Sequence, residues 1–405
     1  MTSLPLAIVL PLLSACTLIN DVGGFHFVGS DAGSVGDAGA TCDGGLLCGG
    51  SYNYVFMTSK KFTPGAAYSG NGSTTFQGLL DADQICNDLA KGSTVLPHDP
   101  ERHYVAWLST STIDAKDRLV TPDRMKKPQG WIRPDGLPFA DSIDALTETG
   151  QIFYPLRIDE DGSDVVQAGT LGPDVVVATG TDALGTYSAA IGSAQDWSAN
   201  AQYGYGLAAA TTVAWTQQTQ GNTGPAYLYC FGTDLSTPLV IAKAKGRVAF
   251  ISKGGFSVVA GESAADSLCN TEAQEVGFPG SYLALLSTTS RASSSLFPQG
   301  ATWVRPDGVS WLATATDLAG GKILTALNVD SSGTYRSDAF VWTGSMTPGA
   351  LSPDSSWSCT NWTAAGQNGI TGQAYASDFN FFDKQKANCA RTDLSIYCLQ
   401  ATPTN

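Results

Sequence analysis

Four carboxylates crowd into six residues at Asp159-Glu160-Asp161-Gly162-Ser163-Asp164, the densest set of hard oxygen ligands in the chain. Asp159, Asp161 and Asp164 at this spacing are a weak candidate site for calcium, an ion that collects carboxylate and carbonyl oxygens. The run lacks the late glutamate of an EF-hand loop, and a solvated acidic turn accounts for it better. Imidazole chemistry has little to work with. The chain holds 3 histidines, His26, His98 and His103, and none lies beyond residue 103. A histidine zinc site or a Ser-His-Asp triad is therefore excluded from the second half and poorly supported in the first. No glycine-rich phosphate loop follows a strand-like run. The expectation is a protein without catalytic residues and without a required cofactor, calcium being the one ion its carboxylates suggest.

The elements around these residues are written twice. Gly78 to Asn87 returns as Gly261 to Asn270, and Tyr104 to Thr110 returns as Tyr282 to Thr288. Trp131-Ile132-Arg133-Pro134-Asp135-Gly136 returns as Trp303-Val304-Arg305-Pro306-Asp307-Gly308, and Leu228-Tyr229-Cys230 as Ile396-Tyr397-Cys398. Four blocks in one order indicate tandem duplication of a domain of about 150 to 180 residues, a globular rather than a solenoid unit. Copy one spans 52–232, a linker 233–245, and copy two 246–400. Each copy begins with a strand-like run, Tyr54 to Thr58 or Val248 to Ile251. A short amphipathic helix carrying Ala82, Ile85 and Leu89, or Ala265 and Leu268, follows at helical spacing. Later short strands, including Val175 to Val177 and Phe340 to Trp342, sit in long Gly/Ser/Asp-rich stretches. The pattern predicts an α+β fold of antiparallel strands, few helices and long loops. Arg-Pro-Asp-Gly reads as a turn, because Pro fixes φ and Gly accepts a positive one.

Composition and the N-terminal segment set the location. Of 405 residues, 43% are hydrophobic and only 14% charged, with a net charge of −14, so two cores are affordable and nucleic acid is not a partner. The densest basic run, Arg124-Met125-Lys126-Lys127, is too short to form a phosphate-binding stripe. Leu4 to Ala15 is an apolar run too short to span a bilayer but suited to a signal-peptide core. It ends in Leu13-Ser14-Ala15-Cys16, which resembles a bacterial lipobox and makes Cys16 the lipidated residue of a 1–16 signal segment. Met1-Thr2-Ser3 departs from that pattern in lacking Lys or Arg. Thr17, rather than Asp, after the cysteine implies an outer-membrane lipoprotein in the cell envelope, facing the surface or periplasm. Residues 17–51, rich in Gly, Asp and Ala, read as a tether.

With Cys16 assigned to lipid, 8 of the 9 cysteines remain, an even number for an oxidising compartment. Copy one holds only Cys86 and Cys230, so these should pair, and Cys269 with Cys398 by repetition. Cys359 then pairs with Cys389, and Cys42 with Cys48 in the tether. Aligning Trp357-Ser358 with Trp197-Ser198 places Cys359 opposite Ala199, and counting back from the last cysteines places Cys389 opposite Gly221. The two long bridges close loops of about 145 and 130 residues, each adding about 4 to 5 kcal/mol in the chain-entropy view.

The nested pairing in copy two, with a Tyr-Leu-Ala-Leu-Leu strand after the helix, resembles the C-type-lectin-like fold and its endostatin-like branch. More closely, a set of motifs is similar to a bacterial lipoprotein domain family of unknown function. The set comprises Ala82 to Cys86, Ala106 to Thr110, Arg133 to Gly136, Arg305 to Gly308, Val341 to Gly344, Cys359 to Thr363 and Leu394 to Cys398. Copy one departs from it at Ala178, where copy two has Trp342, and at the inner cysteines. The Glu-Pro-Asn, Gln-Pro-Asp and Trp-Asn-Asp motifs of sugar-binding lectins are missing. In such folds the long-loop half carries the ligand surface, which points to Trp197, Tyr203, Trp215, Trp357, Trp362 and Phe382 as aromatic faces for a glycan or an extracellular protein. The competing reading is that these rings plug the loops onto the core. The resemblance thus implies a non-enzymatic surface lipoprotein with two binding modules, or an envelope-associated structural protein without a dedicated ligand.

Overall fold

The computed structural model describes residues 51–120, 127–166, 174–241, 243–298, 300–312, 315–337 and 339–402. Cys16 and the Cys42–Cys48 pair lie outside the described residues. Within them the chain is a mixed α/β protein with few helices and several small sheets.

Both copies are built on one sheet plan. Copy one contributes β1 (Asn53–Met57), α1 (Gly78–Gly92), β2 (Tyr104–Ala106), β3 (Gln129–Ile132), β4 (Pro138–Ser142), β5 (Val176–Ala178), β6 (Tyr205–Leu207) and β7 (Tyr229–Gly232). Copy two contributes β8 (Arg247–Ile251), α2 (Glu262–Glu275), β9 (Ser281–Ala284), β10 (Trp303–Val304) and β11 (Ser310–Leu312). It continues with β12 (Phe340–Trp342), β13 (Asn368–Gln373), β14 (Gln385–Asn388) and β15 (Tyr397–Thr402). The main sheets run β2-β7-β1-β3-β4 and β9-β15-β8-β10-β11. Registers also coincide, with Phe56 opposite Cys230 and Phe250 opposite Cys398. Most strand pairs are antiparallel, as expected, but β1 runs parallel to β3 and β8 parallel to β10. A parallel pair needs a long crossover, and the segment holding the helix provides it.

Strand side chains alternate between faces, and both faces are buried. Val55, Met57, Tyr229 and Phe231 enter one cluster with Trp107, Trp131 and Trp215. Phe56, Leu228 and Cys230 enter another with Ile85 and Cys86 of α1. Three cysteine pairs are bonded, Cys86–Cys230, Cys269–Cys398 and Cys359–Cys389, the pairing that duplication implied. The first two fasten the helix to the strand beneath it.

The most faithfully repeated block has a purely structural task. Asp83 and Asn87 lie one turn apart on α1 and face the free edge of β2. Asp83 Oδ1 accepts from Ala106 N at 2.9 Å, and Asn87 accepts from Tyr104 N at 3.0 Å while donating to Tyr104 O at 2.8 Å. Asp266 and Asn270 repeat this on β9, at 2.8 Å to Ala284 N and 2.9 Å to Tyr282 N. Helix side chains thus stand in for a missing strand and satisfy an edge that is otherwise open to pairing.

The two copies meet about a local two-fold axis. Gly206 pairs with Val177 and Gly372 with Val341, so Ala210 and Ala376 are equivalent, each four residues further on. They form an antiparallel bridge with each other. Thr211 N donates to Tyr375 O at 2.9 Å, and Ser377 N to Ala209 O at 2.8 Å, a reciprocal pair. Nearby, Phe153, Tyr154 and Val309 form a buried cluster joined by Leu137, Leu239, Ile241 and Leu324. Leu137 matches Val309 and Phe153 matches Leu324, so like meets like, as in an isologous dimer interface. Arg157 Nη1 extends the contact to Ser377 O at 2.9 Å.

Candidate functional site

The loop half of each copy hangs on an unusual turn. Ala194–Trp197 and Cys359–Trp362 are four-residue left-handed turns, with φ from 49 to 66° and from 49 to 65° and no glycine among them. Left-handed helix costs roughly 1–2 kcal/mol per residue, so the surroundings must hold it. Trp197 Nε1 donates to Ser109 O at 2.8 Å, and Trp362 Nε1 to Ser287 O at 3.0 Å. Asp196 accepts from Ser111 N at 2.7 Å, and Asn361 from Thr289 N at 2.9 Å. The strain aims each tryptophan inward and locks the loop after the second strand. This corrects the alignment of the inner cysteines, since Cys359 corresponds to Ala194 rather than Ala199. The ladder Tyr203–Asn222, matched to Gly369–Ala387, places Gly224 rather than Gly221 opposite Cys389.

The expected aromatic ligand surface is largely interior. Trp197, Tyr203, Trp215, Trp362 and Phe382 are all at most 1% exposed. Trp215 packs on Trp107 and Tyr229 with ring centroids 5.1 and 5.5 Å apart. Tyr203 donates its hydroxyl to Gly224 O at 2.7 Å, and burial pushes that phenol up to about 12. Phe382 O accepts from Thr343 Oγ1 at 2.6 Å. These rings plug long, glycine-rich loops that lack enough aliphatic side chains to seal the sheet. Trp357 alone of the six is half-buried, with Lys386 Nζ 4.2 Å above its ring.

Tyr203 also explains a difference between the copies. Gly369 takes its place in copy two, where a Cβ would lie 2.6 Å from Cys359 Sγ and 3.0 Å from Trp342. Copy two fills this volume with Trp342 and a disulfide, whereas copy one fills it with Tyr203 from the neighbouring strand and keeps Ala178 small.

The acidic turn is consumed by its own backbone. Asp159 Oδ1 accepts from Asp161 N at 3.1 Å and Ser163 N at 2.8 Å, and Asp330 does the same for Ser332 and Thr334 at 2.9 and 3.1 Å. Asp164 is held by Arg157 at 2.5 and 2.9 Å, and Asp161 accepts from Thr94 N at 3.2 Å. Glu160 accepts from Ser59 N at 2.9 Å and from the Ser59 hydroxyl. Burial raises the carboxyls of Asp159 and Glu160 above their usual range. The calcium candidates Asp159, Asp161 and Asp164 therefore serve separate donors and do not converge. No group of three or more His, Cys, Asp or Glu among the described residues is arranged to hold a metal ion.

Arg-Pro-Asp-Gly is a turn, as expected, closed by Gly136 N to Arg133 O at 2.8 Å and Gly308 N to Arg305 O at 2.9 Å. Its arginines carry a role that the sequence did not reveal. Arg305 is 1% exposed and bonds Asp307 Oδ2 at 2.6 Å and Ala326 O at 3.0 Å. Burial alone would raise the Asp307 carboxyl, but the adjacent guanidinium more than offsets it and holds that carboxyl low. Tyr335 adds a hydroxyl bond to Asp307 Oδ2 at 2.5 Å. The pair anchors the loop beyond the turn; it is not poised for proton transfer, since both partners hold their charge.

No family model matches the chain, and no curated protein matches its sequence. No helix among the described residues is long and apolar enough to cross a membrane.

Proposed function

We propose that the chain is a non-catalytic lipoprotein of the cell envelope, in which two C-type-lectin-like copies form one tether-mounted body that holds an extracellular glycan or protein. One observation carries this reading: the repeated polar residues are spent inside the frame, so what is left for a ligand lies among the features unique to one copy that reach the surface. Asp83, Asn87, Asp159, Arg133 and their counterparts all bond backbone or each other. The solvent-facing differences are Trp357 beneath Lys386 in copy two and the long connection between α1 and β2 in copy one. Three disulfides support an oxidising compartment.

A purely structural envelope role is favoured by a separate observation, the use of both loop halves in packing copy against copy at Ala210 and Ala376. A binding screen of the full chain against glycans and matrix proteins, with and without calcium, separates the two. The binding reading expects a saturable ligand and a melting temperature indifferent to calcium. Silence across the screen contradicts it and leaves the structural role.

A further inference from the structure

The connection from helix to second strand differs between the copies. The hydrogen-bonded pair Asn87 and Tyr104 is 17 residues apart, and its counterpart Asn270 and Tyr282 is 12 apart, so copy one carries five extra residues. In copy two the shorter connection is uncharged from Val276 to Gly280, and Phe278 packs on Phe250 at 6.3 Å. In copy one it opens instead into a cavity of about 520 Å³ over the end of α1. Its wall gathers Lys91, His98, Arg102 and His103 around the buried ring of Tyr104.

Lys91 and Arg102 bring two positive charges to this wall against one negative charge from Asp99, on a protein of net charge −14. Arg102 is pinned rather than trailing, with Nη1 donating to Tyr52 O at 2.8 Å and Nε 3.7 Å from Asp99. Asp99 is occupied in the turn, where it accepts from Glu101 N at 3.0 Å. Asp234 takes His103 N at 2.7 Å and faces its Nδ1 at 3.2 Å, which fixes the ring and leaves Nε2 for another partner. Lys91 and His98 make no ion pair among the described residues. Pro97 and Pro100 restrict the loop that carries His98. A held guanidinium and imidazole, with the exposed Lys91 ammonium and His98 ring beside them, offer donors around a small cavity that match the oxygens of a phosphate or sulfate group.

We propose that the α1–β2 connection of copy one is a binding site for a small oxyanion group, a phosphate or sulfate ester borne by the extracellular ligand. This rests on the binding reading above and names its chemistry. The test titrates the full chain with inorganic phosphate, sodium sulfate, or sodium chloride at matched ionic strength, following the histidine ring protons by NMR. His98 and His103 are expected to shift saturably with phosphate or sulfate while His26 stays still, and the stronger of the two names the ester. Lys91→Ala with His98→Ala, both exposed positions, should weaken the response at least tenfold, read on His103, without changing the melting temperature of the free protein. An unsaturated response, an equal one with chloride, or full affinity in the double variant overturns the proposal. A ligand from the screen that binds this variant as well as the parent sinks the site and spares the binding reading. Failure of the screen with an intact phosphate response does the reverse.

Discussion

Glu160 and Glu272 cap the same backbone position of the duplicated frame from two different elements. Glu160, in the acidic turn, accepts from Ser59 N at 2.9 Å; Glu272, on α2, accepts from the equivalent Lys253 N at 2.9 Å. Where copy one has Glu160 it has Leu89 on its helix, and where copy two has Glu272 it has Ser331 in its turn. The frame demands a carboxylate at the end of its first strand and is indifferent to its source.

That indifference can be tested by exchange. Glu160→Ser leaves the half-buried Ser59 N without its carboxylate, which costs about 1 kcal/mol. Adding Leu89→Glu is expected to return at least half of that loss in urea denaturation. A double variant no more stable than the single one contradicts the equivalence.

The aromatic exchange makes a second prediction. Tyr203→Gly alone empties a ring-sized volume and costs about 3–5 kcal/mol. Ala178→Trp in the same chain rebuilds the arrangement of copy two and should recover most of it. Additive losses in thermal unfolding would show that the two positions do not share one volume.

Acidity follows from the caps. Burial is the leading cause that raises Glu160 and Glu272 above the ordinary 4.5. Each binds a proton more readily folded than unfolded, so its contribution is fully present below 4.5 and is lost as pH rises through the folded value. Asp307, held low beside Arg305, works oppositely, and its contribution fades only as pH falls through its own lower value. Glu160→Gln with Glu272→Gln should therefore flatten the decline in unfolding free energy as pH rises above 4.5. An unchanged slope assigns that decline to other groups.

The inner bridge gives a fourth prediction. Cys359 and Cys389 are 30 residues apart, against 129 for Cys269 and Cys398. Cys359→Ala with Cys389→Ala should cost about 3–4 kcal/mol in the chain-entropy view, less than the roughly 5 of the long bridge. Non-reducing peptide mapping must first show Cys359 joined to Cys389; a Cys359–Cys398 peptide contradicts the fold.

Much of the frame was legible in the sequence because duplication repeats what folding requires. The helices around Cys86 and Cys269, the turn at Pro134 and Pro306, and the three described bridges all followed from that. What stayed hidden depends on distance in space. Nothing local marks Asp83 and Asn87 as substitutes for a strand, although their recurrence at Asp266 and Asn270 was a usable signal. The left-handed turns carry no glycine to announce them. Trp197, Trp215 and Trp362 lie in the half that the lectin-like resemblance assigns to a ligand, and nothing local chose between that surface and the plugging of loops onto the core, which is what they do. The meeting of Ala210 with Ala376 has no sequence mark, since small residues at a backbone contact look like any loop.

The central claim, that two equal copies form a single body across a local two-fold, is tested most directly by cutting the chain between them. A protease site inserted after Lys245 in the full chain allows cleavage while every observed disulfide stays within its own copy. If Ala210, Ala376 and the cluster around Phe153 and Val309 hold the copies together, the halves will co-elute as one species in non-denaturing size-exclusion chromatography after complete cleavage. Elution as two half-sized species would contradict the claim.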